Sequence, residues 1–312
     1  MAEEKGFRLL SLYDQLVNRG SIQKKEAAQV FGVSERSIQR DIEQLRNFFA
    51  EQTPPLEIHY DPERNCYRLS EGEGALLSCG EMLAVCKILL ESRSLSKREM
   101  DQILDKLLVH GMRPPEREKL QEILSNERHC YVEPRHGKPL VDILWTLGQA
   151  IQSRSEIQAD YRTQTGEKKH RRLQPVGLMC SEFYFYLAAF LKNVDRNEEF
   201  EYPEDPYPTI YRVDRLEQIQ VQSEHFTVPY GQRFSEGEFR KRVQFMYGGK
   251  LQKIRFRYTG PSLEAVLDRL PTAKVLAEDD DGWDVEAEVF GSGVEMWLRS
   301  QGKYVDIIEN IG

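Results

Sequence analysis

The sequence predicts an α+β chain of several domains, and three observations carry that expectation. At roughly 100–200 residues per domain, 312 residues make about two or three domains. Apolar residues recur at helical spacing through most of the first half, and strand-like alternation takes over from Ile157. Three short helices precede a hairpin at one end, and a βαββαβ-like run closes the other. Charged residues make up 30% and hydrophobic ones 40%, a folding composition that excludes disordered and collagenous classes.

The first helix shows an apolar face in Phe7, Leu9, Leu10, Leu12, Tyr13, Leu16 and Val17, and Asn18-Arg19-Gly20 stops it. A second, over 26–31, ends at Gly32. Ser34 is placed as N-cap of a third helix running to about Phe49. There Ile38, Ile42 and Leu45 form one buried stripe. At 100° per residue, Arg36, Arg40 and Asn47 then point about 180° away. Ser37, Gln39 and Gln44 flank that face. Leu56–Tyr60 and Cys66–Leu69 read as a hairpin whose tip offers Arg64 and Asn65.

This order is that of a winged helix-turn-helix. Arginine and glutamine read base edges in the major groove, whereas serine and a helix N-terminus suit phosphate. Ser34, Arg36, Ser37, Gln39, Arg40 and Arg64 are therefore the candidate DNA-binding residues. An ordinary solvated amphipathic helix is the competing reading, and Glu35, Asp41 and Glu43 favour it by diluting the positive face.

Ser78-x-x-Glu81 and Ser96-x-x-Glu99 are capping boxes opening an all-helical segment. Val141–Ser153 is one more helix. Short strands follow at 157–161, 171–176, 183–190, 209–213 and 218–221, which suggests a small barrel or half-barrel. Residues 229–249 read as a linker. The C-terminal run reads as a small α/β sandwich.

The dense basic run is Arg162, Lys168, Lys169, His170, Arg171 and Arg172 against Glu167. Arg212 and Arg215 add cations around Asp214. Asp214 either pairs with one of them or leaves them for phosphates and stacked bases, and residue types do not decide between these. In 183–190 one face of the strand must be core, so only the other can bind.

The net charge of −8 lies wholly in 259–312, which has twelve acids and four basic residues. That segment is expected to avoid DNA and to contribute to dimer geometry or lie against a neighbouring subunit's basic strands. Five scattered cysteines with no CxxC argue against a disulfide framework or zinc site and fit a reducing cytoplasm. Met1-Ala-Glu-Glu-Lys-Gly lacks a signal peptide's apolar core, and no run of 18 apolar residues is available to span a membrane. No HExxH, GxSxG, Walker A or GxGxxG occurs, so neither an enzyme nor a metal or other cofactor is expected.

The chain resembles the WYL-domain transcriptional regulators of bacteria. Arg8-Leu-Leu and Phe31-Gly-Val-Ser-Glu-Arg-Ser-Ile-Gln-Arg-Asp-Ile-Glu-Gln-Leu45 look like their winged helix-turn-helix. Ile157-x-Ala-x-Tyr161, Arg171-x-Leu-x-Pro175-x-x-Leu178 and Tyr211-Arg-Val-Asp-Arg-Leu216 resemble successive strands of the WYL domain. Phe185-Tyr186-Leu187 occupies the place of the naming triplet, with Phe185 for its tryptophan, so an aromatic is kept and an indole N–H donor lost. Met296-Trp-Leu-Arg-Ser-Gln-Gly302 and Val305-Asp-Ile-Ile308 look like the family's C-terminal extension.

The resemblance implies an α+β multidomain chain. It comprises a winged helix-turn-helix over 1–70, a helical linker over 75–138, a small Sm/SH3-like β-barrel, the WYL domain, over 139–225, and an α/β sandwich over 250–312. It implies ligand contacts at Tyr161, Arg171, Tyr186, Arg212 and Arg215, with Asp214 structural. The expected partners are a double-stranded DNA operator, a single-stranded nucleic acid or nucleotide effector, and a second copy in a cytoplasmic homodimer. The alternative is a nucleic-acid-binding accessory module that modulates an effector enzyme, its barrel being the working surface.

Overall fold

A computed structural model describes residues 2–51, 57–69, 77–112, 114–194, 207–228 and 234–311. The chain divides into two compact units. One comprises residues 1–91 and 97–131, the other residues 92–96 and 132–312. Among the described residues the strands form three antiparallel sheets.

In the first unit α1 (Ala2–Asp14) runs on as a π-turn to Arg19, and Gly20 closes it in the left-handed region at φ 76°. Leu12 and Leu16 are fully buried, with Leu9 and Val17 packed beside them. Phe7 and Leu10 are 70% and 69% exposed, contrary to the expected single apolar face. At 100° per residue they lie on the side opposite Leu12 and Leu16, and one helix face cannot bury both sets.

Next come α2 (Lys24–Val30) and α3 (Glu35–Ala50). Ser34 caps α3 by accepting from the Ser37 N–H at 3.2 Å. Ile38, Ile42 and Leu45 are buried, as the spacing requires, and Phe49 extends the stripe. Removing the cap, Ser34→Ala, is expected to cost about 1 kcal/mol, read as a lower urea midpoint with unchanged slope.

The hairpin is β2 (Ile58–Asp61) and β3 (Cys66–Leu69). A further strand, β1 (Ser21–Ile22), pairs with β3. Two residues are too short to show alternation, so the sequence hid it.

Helices α4 (Cys79–Ser92), α5 (Lys97–Gly111) and α6 (Pro114–His129) complete the unit. The first capping box is reciprocal. Ser78 N donates to Glu81 Oε2 at 2.8 Å, and Glu81 N to Ser78 Oγ at 3.2 Å.

In the second unit α7 (Val141–Ser153) leads into β4 (Ser155–Arg162), β5 (Lys168–Ser181), β6 (Tyr184–Lys192) and β7 (Thr209–Arg212). A 3-10 turn at Val213–Arg215 joins β7 to β8 (Leu216–His225). The order in the sheet is β7-β6-β5-β4-β8. Tyr161 on β4 and Tyr211 on β7 meet edge-on at 5.0 Å between ring centres, across two intervening strands. The sheet is therefore strongly curled around Ile157, Ala159, Leu173, Leu187, Ala189 and Val213.

The stretch expected as a linker contains α8 (Glu236–Arg242), capped by Ser235. Its Phe239, with Val243, Met246 and Phe290, covers Met179 and Ala188 on the outer side of the sheet. The outer face of β6 is thus packed at Ala188, which narrows the expected binding face to the Tyr184–Tyr186 end of the strand. At Gly177 a Cβ would lie 2.7 Å from Glu236 Oε1 and 2.8 Å from the Phe234 ring, so any larger residue there would displace both side chains.

The C-terminal sheet has order β10-β11-β9-β12, from β9 (Leu251–Tyr258), β10 (Lys274–Asp279), β11 (Gly282–Phe290) and β12 (Val305–Ile311). Helices α9 (Leu263–Arg269) and α10 (Gly293–Ser300) contribute Val266, Val294 and Leu298 to its core. Four of the twelve acids in 259–312 are matched by arginines upstream. Arg255 binds Glu286 at 2.8 Å, Arg257 binds Asp284 at 3.1 Å and also Asp279, and Arg242 binds Glu288 at 2.7 Å. The partners sit just upstream of residue 259, so counting charge from there overstated the segment's free acidity.

Candidate nucleic-acid interface and ligand-facing strands

The exposed side of α3 is the first candidate surface. Arg36 and Arg40 are exposed and, among the described residues, make no hydrogen bond or ion pair. Asp41, expected to dilute this face, is instead buried, with Arg8 Nε 2.6 Å from its Oδ2. Glu43 is held by Arg46 at 2.6 Å. Glu35, the third acid of this face, is exposed and lies 3.7 Å from Lys24, so each of the three acids has a cation beside it, Glu35 at the longest distance.

Gln39 is engaged internally. It accepts from the Tyr67 hydroxyl at 2.6 Å and donates to Glu43 at 3.1 Å, tying α3 to the hairpin. Ser37 and Ser34 share a hydroxyl contact at 3.0 Å. Arg64 is exposed at the hairpin tip, where Asp61 Oδ1 accepts from the backbone N–H of Glu63 and Arg64. Asn65 takes a positive φ there and accepts from Tyr60. The helix thus carries Arg36 and Arg40 as open donors, with Gln39 and the two serines holding their frame.

In the second unit, strand register divides the expected ligand set. Ala159 pairs with Arg171, Tyr161 with Lys169 and Ile157 with Leu173. Directly opposed residues share a face, so Tyr161 and Arg171 stand on the inner, core-lined side. Tyr186 pairs with Met179 and with Arg212, which puts it on the outer side. Arg215 lies in the 3-10 turn, half-buried and with no hydrogen bond or ion pair among the described residues.

The outer side carries a compact cluster. The Arg212 guanidinium lies 3.4 Å from the centre of the Tyr184 ring. It donates to buried Asp214 through Nε at 3.0 Å and Nη2 at 2.8 Å. Asp214 is thus the structural partner of Arg212. Tyr184 meets Tyr186 edge-on at 6.4 Å, and burial pushes the Tyr186 hydroxyl up to about 12. His136 joins the cluster at 6.4 Å from Tyr184.

Sequence reasoning missed Tyr184 and His136. Tyr184 was legible, since it shares a strand face with Tyr186. His136 precedes the strands and has no motif.

Most of the basic run is spent on the fold. Lys168 and His170 each lie 2.9 Å from Asp160, and Arg162 is 3.6 Å from Glu217. Arg172 binds Glu156 at 2.6 Å and Glu224 at 3.0 Å. Glu156 is fully enclosed and also receives Gln174 Nε2 at 2.9 Å and the Lys192 ammonium. Burial opposes its ionisation, but hydrogen bonds from Lys192, Gln174 and Arg172 outweigh this and hold the carboxyl at about 2.

Residues 142–221, from α7 through most of β8, match the model of the WYL domain, so the chain carries a WYL domain. Among solved structures the chain is similar to proteasome accessory factor B/C (PafBC) of Arthrobacter aurescens. That match has 16% identity and a TM-score of 0.31, covering 98% of this chain and 46% of that one. It is also similar to a CRISPR Cas-related protein, at 19% identity and a TM-score of 0.34, covering 62% of this chain and 49% of the other. The chain spans about half the length of these solved structures. No described helix is long and apolar enough to cross a membrane.

Proposed function

We propose that the chain is a sequence-specific DNA-binding transcriptional regulator whose WYL domain senses a single-stranded nucleic acid or nucleotide. The observation that carries the DNA-binding half is the pair Arg36 and Arg40, open on α3 while Asp41 and Glu43 are tied to their own cations. In this reading α1–α3 and the small sheet are a winged helix-turn-helix, and the curled sheet is an Sm/SH3-like barrel. The protein works in the cytoplasm as a homodimer on two half-sites, without a catalytic step.

The ligand half rests on Arg212. Its Nε and Nη2 serve Asp214, while Nη1 has no partner among the described residues and suits a phosphate oxygen. Tyr184 and Tyr186 add aromatic faces beside it. Because Arg171 and Tyr161 stand on the other side of the sheet, a ligand meeting both sets follows the sheet around its edge. That geometry favours a strand of several nucleotides.

Two measurements test the reading. Selection from random duplexes should enrich inverted repeats, and enrichment of none overturns the regulator. Calorimetry with the full chain should show single-stranded oligonucleotide binding that weakens with salt and falls about tenfold in Arg212→Ala and in Arg171→Ala. A folded protein that binds neither oligonucleotide nor nucleotide removes the sensing half.

A further inference from the structure

His136 stands at the margin of the Arg212 cluster, on the segment entering α7. Its Nδ1 accepts from the Lys138 N–H at 3.0 Å. A neutral imidazole with Nδ1 as acceptor carries its proton on Nε2. That Nε2 is buried and has no hydrogen-bond partner. An unmatched buried donor costs about 1–3 kcal/mol, so an acceptor delivered to it is rewarded.

The side chains around it define what that acceptor is. The Tyr184 ring is tilted against the imidazole. Arg212 and Asp214 act on it from the β7 end, Lys138 and Glu133 from its own segment. Glu217 balances Lys138 at 3.1 Å. Asp214 is already occupied by Arg212 through both oxygens. The cluster therefore holds two donors, Arg212 Nη1 and His136 Nε2, for which it supplies no acceptor of its own. A phosphate, with several anionic oxygens, has an acceptor to offer each.

We propose that His136 is a second anion donor of the ligand face, and that it couples binding of a phosphate group beside Arg212 to uptake of a proton. This rests on the anionic-ligand reading above and deepens it. Nε2 is closed to solvent, so the phosphate reaches it with a side-chain movement in the cluster. The neutral ring donates one N–H, and the imidazolium adds a full positive charge beside the phosphate.

The direction follows from linkage. Without the anion, burial and the Arg212 and Lys138 charges hold His136 below its ordinary value, against the opposing pull of Asp214. An added phosphate charge raises it. Affinity is therefore highest below the unliganded value and is lost as pH rises through the liganded one.

Fluorescence anisotropy of the full chain with a single-stranded oligonucleotide lacking terminal phosphates, whose phosphodiesters do not titrate in this range, at several pH values from 5.5 to 8, tests this. A liganded value about one unit above the unliganded one makes wild-type binding about tenfold tighter at the acid end. In His136→Gln the profile should be flat, at the weak, high-pH affinity. His170→Gln, which alters the histidine beside Asp160, should keep the wild-type slope. Histidine proton shifts with and without oligonucleotide give a second readout, in which the His136 titration should move upward when ligand is present.

A wild-type slope surviving in His136→Gln, or a His136 titration unmoved by ligand, overturns the coupling. Binding that is present but independent of pH does the same while leaving the anion site intact. Absence of oligonucleotide binding at every pH overturns the anion-sensing reading, and the coupling with it.

Discussion

Glu156→Ala should lower the stability of the second unit by about 2 kcal/mol at pH 7. The carboxylate is 1% exposed and is shared by Arg172, Lys192 and Gln174. Removing it strands their donors against a sheet that cannot rearrange. Breaking a fully buried pair costs about 3–5 kcal/mol, but Lys192 is 40% exposed and Arg172 keeps Glu224, so solvent and the second acid recover part.

The pH signature separates charge from packing. A folded value of about 2 lies below the unfolded glutamate's value of about 4.3. The stabilisation is present in full above the unfolded value and is lost as pH falls through the folded one. Urea midpoints of wild type and Glu156→Gln should therefore differ at pH 7 and converge toward pH 2. A gap that stays constant with pH would assign the residue to packing alone.

Arg40→Ala should weaken binding to the selected duplex by about 1–3 kcal/mol, or roughly tenfold to a hundredfold, if its fork reads a base. The side chain projects from the side of α3 opposite Ile38 and Ile42, whose burial is complete. Its removal touches neither the Ser34 cap nor the Arg8–Asp41 pair, so thermal unfolding should be unchanged. A uniform loss across all duplex sequences, with a shallower salt slope, would make Arg40 a phosphate contact. Undiminished affinity in a folded variant would remove α3 from the interface. Gln39→Ala differs in kind, because it cuts the Tyr67 link and frees the hairpin.

The α3 surface was legible because helical period converts one buried stripe into its opposite face, and Ile38, Ile42 and Leu45 are all buried. What periodicity could not show was pairing at a distance. Asp41 reads as a surface acid until Arg8, 33 residues earlier, is seen beside it. Arg172 reads as part of a basic patch until Glu156 is seen beneath it.

Strand alternation placed Tyr186 and Arg212 on strands but not on a common side. That depended on the register Tyr186↔Arg212 and on the bulge between Pro175 and Gly177. His136 was illegible for a plainer reason. Its significance comes from Tyr184, Arg212 and Asp214, none near it in sequence. The helix α8 was missed because Glu236–Arg242 holds a single apolar side chain, Phe239, and one residue shows no period, whereas the equally short α2 has Ala27, Ala28 and Val30.

The 3-10 turn at Val213–Arg215 connects the two opposite edge strands of the WYL sheet, which bears on the order of assembly. Strands β4, β5 and β6 form a meander whose pairings are local in sequence, such as Arg162↔Lys168 and Ser181↔Tyr184. Strand β8 instead meets β4 across a long separation, Ser155 opposite His225. Closing that loop carries the larger chain-entropy penalty, so docking of β8 is expected to follow formation of the meander. The turn ties this docking to that of β7. Once β7 seats on β6, the start of β8 is carried to its station with almost no chain left to search. The Arg212–Asp214 clasp, which spans the entrance to that turn, thus links the two edges of a sheet that the hydrogen-bond ladder alone would leave kinetically independent.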